Sequence, residues 1–326
     1  MSDLYPLKFE TIFKDKIWGG QKIKTILNKD FGDLPNCGET WEISGVQGNI
    51  SVVKNGGLQG KDLQSLLEKY KGKLVGEKVY QKYGNEFPLL VKFIDANDDL
   101  SVQVHPDDAL ARKRHNSFGK TEMWYIFQAD DDATLNSGFN RPLTRAQYLD
   151  YFNNGELMDI LNIDQVQADD VYFLPAGRVH YIGKGCLLAE IQQTSDITYR
   201  IYDFDRTDRQ GRKRELHTAE SLDAIDFAYH QQYKTSYRDQ KNEAVELVSC
   251  AYFTTNKLHC DQLIHRDHSR RDSFVIYVCM DGALTLQYES GSVPMEKGEA
   301  LLLPAEIEKI SLKPEGSFKV LESYVS

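Results

Sequence analysis

A glutamine and a histidine stand two residues apart in the segment Leu100–Pro106, which alternates apolar and polar residues. Side chains in a β-strand alternate between its two faces, so Gln103 and His105 should point to one side and Val102 and Val104 to the other. Amide oxygens and imidazole nitrogens can both bind divalent metal ions. The spacing therefore predicts one wall of a metal site.

Two further donors follow at strand-like positions. Glu122 lies just before the β-prone run 123–127, where an unpaired buried carboxylate would be costly and a metal ion would offset that cost. His180 follows the turn Pro175–Gly177, a position from which a strand can deliver a side chain to the mouth of a barrel. Each residue alone could be an ordinary core or surface residue. Together the four donors predict a mixed nitrogen and oxygen metal site: Gln103, His105, Glu122 and His180.

The length and charge of the chain restrict its class of function. The 326 residues include 39 lysines and arginines against 49 aspartates and glutamates, which gives a formal net charge of −10. The basic residues are scattered and no helix-turn-helix pattern is visible, so nucleic acid is not expected as a partner. The short basic run 209–214 is interpreted as a solvated turn, one member of which could touch an anionic substrate. The length allows two domains or one large β domain with insertions.

Five cysteines are spread along the chain without a Cys-x-x-Cys pair. This pattern argues against a zinc ribbon and against a secreted disulfide scaffold, and it favours the cytoplasm. No charged segment followed by an apolar core opens the chain, and no stretch approaches the roughly 20 apolar residues of a membrane span. We therefore expect a cytoplasmic protein with no membrane partner.

Short β-prone segments between turn signals dominate the sequence and predict a mainly β fold, either a sandwich or a barrel. The predicted strands are 7–12, 40–44, 50–54, 89–94, 100–105, 123–128, 171–174, 187–192 and 198–202. Helical patterns interrupt them at 61–70, 143–153, 155–161 and 214–225. We interpret these helices as insertions on a β scaffold.

An eight-residue pattern occurs twice in the chain. Residues 169–176 and 298–305 each run from an acidic turn through four apolar residues to Pro-Ala, and a β-prone hairpin pattern precedes the second copy. The repeat predicts two β-barrel halves. The second copy continues with 306–308, Glu-Ile-Glu, where the first continues to His180, so it lacks the histidine.

The repeat divides the chain into two predicted domains. Residues 1–240 would form the catalytic domain with its helical insertions. Residues 241–326 would form a degenerate β domain that is structural and holds no metal.

Six segments in this order resemble type I mannose-6-phosphate isomerases (phosphomannose isomerases) in their shorter bacterial form. The segments are Lys16–Gly20, Gly38–Ser44, Gln103–Pro106, Gly119–Trp124, Pro175–His180 and Tyr199–Asp203. They cover about residues 5 to 220. The resemblance implies a cupin fold, a jelly-roll barrel with the site inside its mouth, in each half of the chain. It also implies one Zn²⁺ per chain, bound by the four donors named above, whereas the ligand types alone would equally allow iron, manganese or nickel.

The resemblance further implies the reaction, which is the interconversion of mannose 6-phosphate and fructose 6-phosphate through an enediol. Arg200 matches an arginine regarded as catalytic, Asp196 matches an acidic neighbour proposed to assist ring opening, and the residue matching Lys120 lies in the active site. A guanidinium stays protonated at any working pH, so we expect Arg200 to stabilise enediolate charge rather than to remove a proton. Lys120, a metal-bound water and Asp196 are all left as candidates for the proton carrier.

The expected partner is a small sugar phosphate, and the chain is expected to be a monomer or a weak homodimer. Phosphate binding needs cationic or hydroxyl donors, and Lys92, Ser101 and Arg206 lie at strand or loop positions near the ligand segments. Glu42 is added as a residue that could line the pocket.

Two other functions are compatible with the sequence. One is another metal-dependent cupin enzyme, such as an oxygenase or an epimerase, although Lys120 and Arg200 together suit an anionic sugar better. The other is a sugar-binding cupin without turnover. The complete set of donors and the presence of Arg200 weigh against such a binder, which has little need for them.

Overall fold

A computed structural model describes residues 3–207 and 210–325. Within these residues the fold is mainly β, and the strands form three antiparallel sheets. The strands are β1 (Ile12–Lys14), β2 (Glu39–Ile43), β3 (Leu89–Asp95), β4 (Val102–Val104), β5 (Glu122–Ala129), β6 (Thr134–Phe139), β7 (Leu161–Gln165), β8 (Val171–Leu174), β9 (His180–Ile182), β10 (Cys186–Gln193), β11 (Tyr199–Tyr202), β12 (Ala244–Ser249), β13 (Thr254–Cys260), β14 (Ile264–Asp267), β15 (Val275–Tyr288), β16 (Gly291–Glu296), β17 (Ala300–Leu303) and β18 (Lys309–Tyr324).

Helices lie mainly between the strands of the first half of the chain. They are α1 (Lys22–Thr25), α2 (Leu63–Tyr70), α3 (Gly72–Val75), α4 (Glu77–Tyr83), α5 (Asp108–His115), α6 (Arg145–Asn153) and α7 (Thr218–Ala224), with 3₁₀ turns at Gly56–Leu58 and Leu157–Ile160. None of the helices in the described part of the chain is long and apolar enough to cross a membrane.

Two sheets build the first half and face each other. One has the order β1-β2-β3-β10-β5-β8, and the other has the order β11-β4-β9-β6-β7. Trp124 and Ile126 of the first sheet share a buried apolar cluster with Leu135 and Ile182 of the second. The burial of these large side chains removes apolar surface from water and holds the two sheets together. Residues near the ends of β4, β5 and β9 therefore meet between the sheets.

The third sheet belongs to the second half and has the order β12-β13-β18-β15-β16, with β14 also paired to β18 and β17 to β15. One buried apolar cluster contains residues of both halves. Phe87 lies 4.8 Å from Phe274 between ring centroids. The backbone N–H groups of Leu7 and Leu302 each donate to the other residue's carbonyl oxygen, at 2.8 and 2.9 Å. The two halves are thus joined by a continuous core.

The repeated pattern forms equivalent strands in the two halves. Asp169 (φ 73°) and Gly298 (φ 86°) stand at matching positions in the left-handed region, and β8 or β17 begins two residues later. Strand β8 pairs with β5 and places Glu122 opposite Leu174, whereas β17 pairs with β15 and places Val275 opposite Leu303. The position that carries the glutamate in the first half therefore carries valine in the second.

Several predicted elements need correction. The strand predicted at 7–12 begins only at Ile12, and 50–54 forms isolated bridges instead of a strand. The helix predicted at 155–161 is a 3₁₀ turn followed by β7, because Leu157 and Ile160 are buried within less than two helical turns before the chain extends. Strands β6, β7, β9, β12, β13, β14, β16 and β18 and helices α1, α3, α4 and α5 were not predicted, since many of them are too short to show a clear period.

Candidate active site

Three buried side chains from the two facing sheets meet in one cluster. Among the described residues, the potential ligand atoms of His105, Glu122 and His180 all lie within 4.8 Å of one another. Nε2 of His105 is 3.6 Å from one Glu122 oxygen, and Nε2 of His180 is 3.4 Å from the other. The side-chain amide of Gln103 lies 3.1 Å from His180 Nε2. Rotation of this amide exchanges its oxygen and nitrogen, so the carboxamide oxygen can face the same point. The structure brings all four predicted donors together.

Local hydrogen bonds tie the segments that carry these donors. Gln103 in β4 stands opposite His180 in β9. The N–H of Gly177 donates to the carbonyl of His105 at 2.9 Å, and the N–H of Ala176 donates to Thr121 Oγ1 at 3.2 Å. Gly177 has φ 90°, a conformation that residues with a Cβ rarely adopt. The Pro-Ala-Gly turn therefore fixes His180 relative to the segments of His105 and Glu122.

A close contact between two backbone segments fixes the loop that leads to Glu122. A Cβ on Gly119 would lie 2.6 Å from the backbone of Asp107 and Asp108, so only glycine fits there. The N–H of Gly119 also donates to Asp108 Oδ1 at 2.8 Å, and Asp107 caps α5 by accepting from Leu110 N at 2.8 Å. The start of α5 thus anchors the loop that leads into β5.

The orientation of both imidazoles suits metal binding. Nδ1 of His105 lies 2.8 Å from the carbonyl oxygen of Ile197, and Nδ1 of His180 lies 2.8 Å from that of Arg178. Because a carbonyl can only accept, each Nδ1 carries the hydrogen and each Nε2 presents a lone pair to the cluster. Both oxygens of Glu122 are buried, and Lys120 at 2.9 Å from Oε2 is the only cationic side chain beside them among the described residues. Two buried carboxylate oxygens and two imidazole lone pairs around one point fit a divalent cation.

Burial sets the protonation of these groups. It lowers the pKa of His105 well below its usual value, an effect that Lys120 reinforces, and it lowers the pKa of His180 to about 3. Both imidazoles are therefore neutral at working pH, which is the form that binds metals. Burial and the nearby carboxylate of Glu190 raise the pKa of Glu122. A cation bound beside Glu122 would restore its charged form.

A cavity of about 330 Å³ opens beside the cluster and is bordered by Gln103 and Lys120. Five cationic side chains line it: Lys16, Lys92, Lys120, Arg200 and Arg214. Three carboxylates also line it: Glu39, Glu190 and Asp196. The lining thus carries a formal charge of +2 in a chain whose net charge is −10. A positive cleft on an acidic protein favours a small anion.

The floor of this cavity is a buried charge network. Lys92 Nζ lies 3.0 Å from Glu190 Oε1, and the indole N–H of Trp124 donates to Glu190 Oε2 at 2.8 Å. Burial alone would raise the pKa of Glu190, but Lys92 and Lys120 together hold it low. Lys120 Nζ lies 3.0 Å from His105 Nε2 and 2.9 Å from Glu122 Oε2. Lys120 therefore stands between the cluster of His105, Glu122 and His180 and the cavity.

Arg200 reaches the cavity from β11. Its backbone stands opposite Gln103, and its NH1 donates to the Glu215 carbonyl at 2.7 Å. Its Nε is buried without a hydrogen-bond partner. Burial and the neighbouring Arg214 lower its pKa, yet a guanidinium stays charged at working pH. Asp196, three residues before β11, lines the same cavity.

The residues predicted to bind substrate separate into two groups. Lys92 and Ser101 line the cavity, whereas Glu42 and Arg206 do not. Alternation along β2 turns Glu39 to the cavity and Glu42 away from it, where Glu42 pairs with Lys29 at 2.8 Å.

Arg206 is held by acidic partners instead of lining the cavity. Its NH2 donates to Asp203 Oδ1 at 2.6 Å, its Nε donates to the Asp203 carbonyl at 3.3 Å, and Asp98 lies 3.6 Å from its NH1. These contacts hold the side chain outside the lining of the cavity.

Four charged lining residues were not predicted to form the site: Lys16, Glu39, Glu190 and Arg214. Lys16 and Glu39 belong to segments that carry the family resemblance, and Arg214 ends the basic run 209–214, so a signal for these three was present. Residue 209 lies outside the described residues. Glu190 stands in the buried strand β10, where nothing in the local pattern distinguishes it.

Known proteins share this fold and much of this sequence. The family model described as "Phosphomannose isomerase type I, catalytic domain" matches residues 6–126, and that described as "Mannose-6-phosphate isomerase, cupin domain" matches residues 243–325. The chain is 35% identical over 314 residues to mannose-6-phosphate isomerase ManA of Bacillus subtilis, covering 94% of this chain and 96% of that protein. It is also 35% identical over 327 residues to mannose-6-phosphate isomerase of Streptococcus mutans, covering 98% of each. The solved structure of mannose 6-phosphate isomerase from Bacillus subtilis matches with a TM-score of 0.87 at 31% identity, over 98% of this chain and 99% of that one.

Proposed function

The chain belongs to the type I phosphomannose isomerase family, and we propose that its cavity interconverts mannose 6-phosphate and fructose 6-phosphate through an enediol. The observation that carries this proposal is the position of the buried cluster of His105, Glu122 and His180 beside a cavity with a net positive lining. The cluster suits a divalent cation, and the lining suits an anionic sugar.

We propose that the metal is one Zn²⁺ held by Gln103, His105, Glu122 and His180. Two neutral imidazoles, a carboxylate and an amide oxygen are compatible with zinc, and the carbonyl contacts of both Nδ1 atoms are the outer hydrogen bonds typical of metal-binding histidines. When bound, the ion would polarise the sugar oxygens at C1 and C2 as a Lewis acid.

The other residues act on the substrate itself. Arg200 keeps its charge in a partly buried place, so it can stabilise negative charge as it develops on the enediolate oxygens. Lys120 and Asp196 both line the cavity and are the side chains placed to move a proton or to assist ring opening. Ser101 and Lys92 complete the polar wall that orients the sugar phosphate.

We also propose that each half is a cupin-type jelly roll, with a catalytic domain at 1–240 and a metal-free structural domain at 241–326. The repeated strands β8 and β17, with a left-handed residue two positions before each, support this division. The second half matches a cupin domain, and its valine at the position of Glu122 removes one donor.

A cytoplasmic location is proposed as well. All five cysteines are free thiols, and burial raises the pKa values of Cys37 and Cys260 to about 11. Unpaired thiols are usual in a reducing compartment.

Conversion of mannose 6-phosphate in D₂O tests the proposed reaction. An enediol route passes the proton of C2 through a protein group that exchanges with solvent, so we expect fructose 6-phosphate to gain deuterium at C1. Nuclear magnetic resonance of the product measures this directly, with substrate incubated without protein as the control. Conversion with no solvent deuterium in product or recovered substrate would contradict the enediol, and absence of conversion by the folded, zinc-loaded protein would contradict the isomerase assignment.

A further inference from the structure

One cation of the cavity is held by a carboxylate that lies outside the cavity. Arg214 lines the cavity, and its Nε donates to Asp203 Oδ2 at 2.7 Å while its NH2 donates to Oδ1. Asp203 is only 5% exposed and follows β11 directly. Burial opposes its charge, but Arg214 and Arg206 hold its pKa below the usual value. Asp203 is therefore a charged, fixed anchor for Arg214.

We propose that Arg214 binds the phosphate of the sugar phosphate and that Asp203 is the residue that positions it. This inference rests on the proposed function and names the group that would recognise the phosphate end of its substrate.

The hydrogen-bonding pattern leaves part of the guanidinium available. Asp203 occupies the edge formed by Nε and NH2, and NH1 makes no hydrogen bond to a described residue. A planar guanidinium has five N–H donors, so the remaining edge still offers donors from NH1 and NH2. Such an edge matches two phosphate oxygens, and charge-assisted bonds of this kind are stronger than neutral ones.

The carboxylate that anchors Arg214 lies further along the chain than the residue at the reacting end of the site. Arg200 stands opposite Gln103, one of the proposed metal ligands, and Asp203 lies three residues further along the chain. At the rise of a β-strand this step is about 10 Å. The phosphate of a hexose 6-phosphate is likewise at the opposite end of the sugar from C1 and C2. Arg200 can therefore serve the reacting carbons while Arg214 serves the phosphate.

The other cations of the cavity are less suited to the phosphate. Lys92 lies 3.0 Å from Glu190, and Lys16 lies 3.3 Å from Glu39, so carboxylates that also line the cavity offset these two charges. Lys120 lies 2.9 Å from Glu122 in the metal cluster. Asp203 also offsets the charge of Arg214, but it does not line the cavity, so a phosphate at the free edge of Arg214 would not meet this carboxylate.

The segment that carries Arg214 is fastened to β11. The N–H of His217 donates to the Arg200 carbonyl at 2.8 Å, and the N–H of Arg200 donates to His217 Nδ1 at 3.0 Å. Arg200 NH1 reaches the carbonyl of Glu215, the residue after Arg214. These bonds keep the segment in place, so a substitution at Arg214 changes the cavity without freeing the loop.

Two variants of Arg214 test the proposal. Arg214→Ala should raise KM for mannose 6-phosphate by about 10- to 100-fold with kcat changed by less than about 3-fold, because a phosphate contact made equally in ground and transition states affects binding alone. The dissociation constant of inorganic phosphate, measured by calorimetry on the zinc-loaded protein, should rise in parallel. For Arg214→Lys, KM and the phosphate dissociation constant should lie between the values of Arg214→Ala and those of the unmodified protein, because lysine keeps the charge and loses the planar edge.

Asp203→Asn tests the positioning role and should raise KM in the same direction with kcat retained. A loss of thermal stability with KM and phosphate affinity unchanged would show that Asp203 is only structural. Lys213→Ala is the matched control: it removes one positive charge from the same loop, but its exposed side chain pairs with Asp205 outside the cavity. Its KM and phosphate affinity should equal those of the unmodified protein.

Other results would overturn the inference. Unchanged KM and phosphate affinity in Arg214→Ala would remove Arg214 from the phosphate site, and a rise in both for Arg206→Ala alone would assign the phosphate to Arg206. Phosphate affinity is measured without turnover. The phosphate site at Arg214 and the isomerase assignment can therefore fail separately. Weaker phosphate binding by Arg214→Ala in a protein that does not convert mannose 6-phosphate would contradict the isomerase assignment and still support an anion site at Arg214.

Discussion

His105→Ala is expected to eliminate bound metal and turnover together. Nε2 of His105 presents its lone pair toward Glu122 at 3.6 Å, with Nδ1–H fixed on the Ile197 carbonyl. Loss of this nitrogen leaves too few donors to retain zinc through dialysis, and without the Lewis acid the rate should fall by roughly 10³-fold or more. Elemental analysis and turnover measured on the same dialysed sample give both values.

The control for this variant is His265→Ala, which removes a histidine that hydrogen-bonds Ser311 in the second half of the chain. It should keep one zinc and full activity. If His105→Ala retained stoichiometric metal, His105 would not be a ligand, and the cluster would need a different explanation.

Arg200→Ala is expected to keep its metal and lose catalysis. We predict normal zinc content and a kcat lowered by two or more orders of magnitude, which corresponds to about 3 kcal/mol of lost transition-state stabilisation. The reason is that Arg200 lines the cavity with its charge retained, opposite Gln103, and is not one of the proposed ligands, so its loss removes no donor from the metal. Steady-state kinetics and metal analysis of the purified variant measure the two properties.

Arg200→Lys separates the effect of the positive charge on kcat from the effect of the planar guanidinium group. Arg200→Lys keeps a positive charge but loses the planar group and its bond to the Glu215 carbonyl, so kcat should lie between those of the alanine variant and the unmodified protein. A kcat unchanged in Arg200→Ala would end the role proposed for this residue.

The grouping of potential metal ligands could be predicted from sequence because these residues obey simple local rules. Period-two alternation placed Gln103 and His105 on one face, and the structure has both side chains near His180. The turn before His180 was visible as Pro-Ala-Gly, and Gly177 does adopt a positive φ. What a sequence pattern cannot show is that β4 and β9 lie side by side, since 77 residues separate Gln103 from His180. The prediction that the four donors converge rested on their strand and turn positions, and the family resemblance added zinc as the metal.

The cavity wall was harder to predict because long-range packing decides it. Arg206 and Arg214 are both basic residues near Asp203 in sequence, yet only Arg214 lines the cavity. The difference comes from the path of the loop, which no periodic pattern encodes. Glu190 looks like one polar residue in a buried strand, and only the approach of Lys92 and Trp124 makes it part of the floor.

The same difference decided which strands could be predicted. Strands with a long local pattern were predicted, and short strands that depend on distant neighbours were not. Long buried strands such as β3, β5 and β10 were predicted because their runs of apolar and β-branched residues are long. Short strands such as β9, with three residues, depend on their neighbours for hydrogen bonds and show no period of their own. The repeat at 169–176 and 298–305 indicated two related halves because its turn and strand recur together.

The most direct test of a metal-dependent isomerase is conversion of mannose 6-phosphate to fructose 6-phosphate by the purified protein before chelation, after chelation and after zinc is restored. Metal content is read on the same three samples. We predict activity that disappears with the metal and returns when one zinc per chain is bound. Full activity in the metal-free sample, or none in a folded sample with one zinc per chain, would contradict the account.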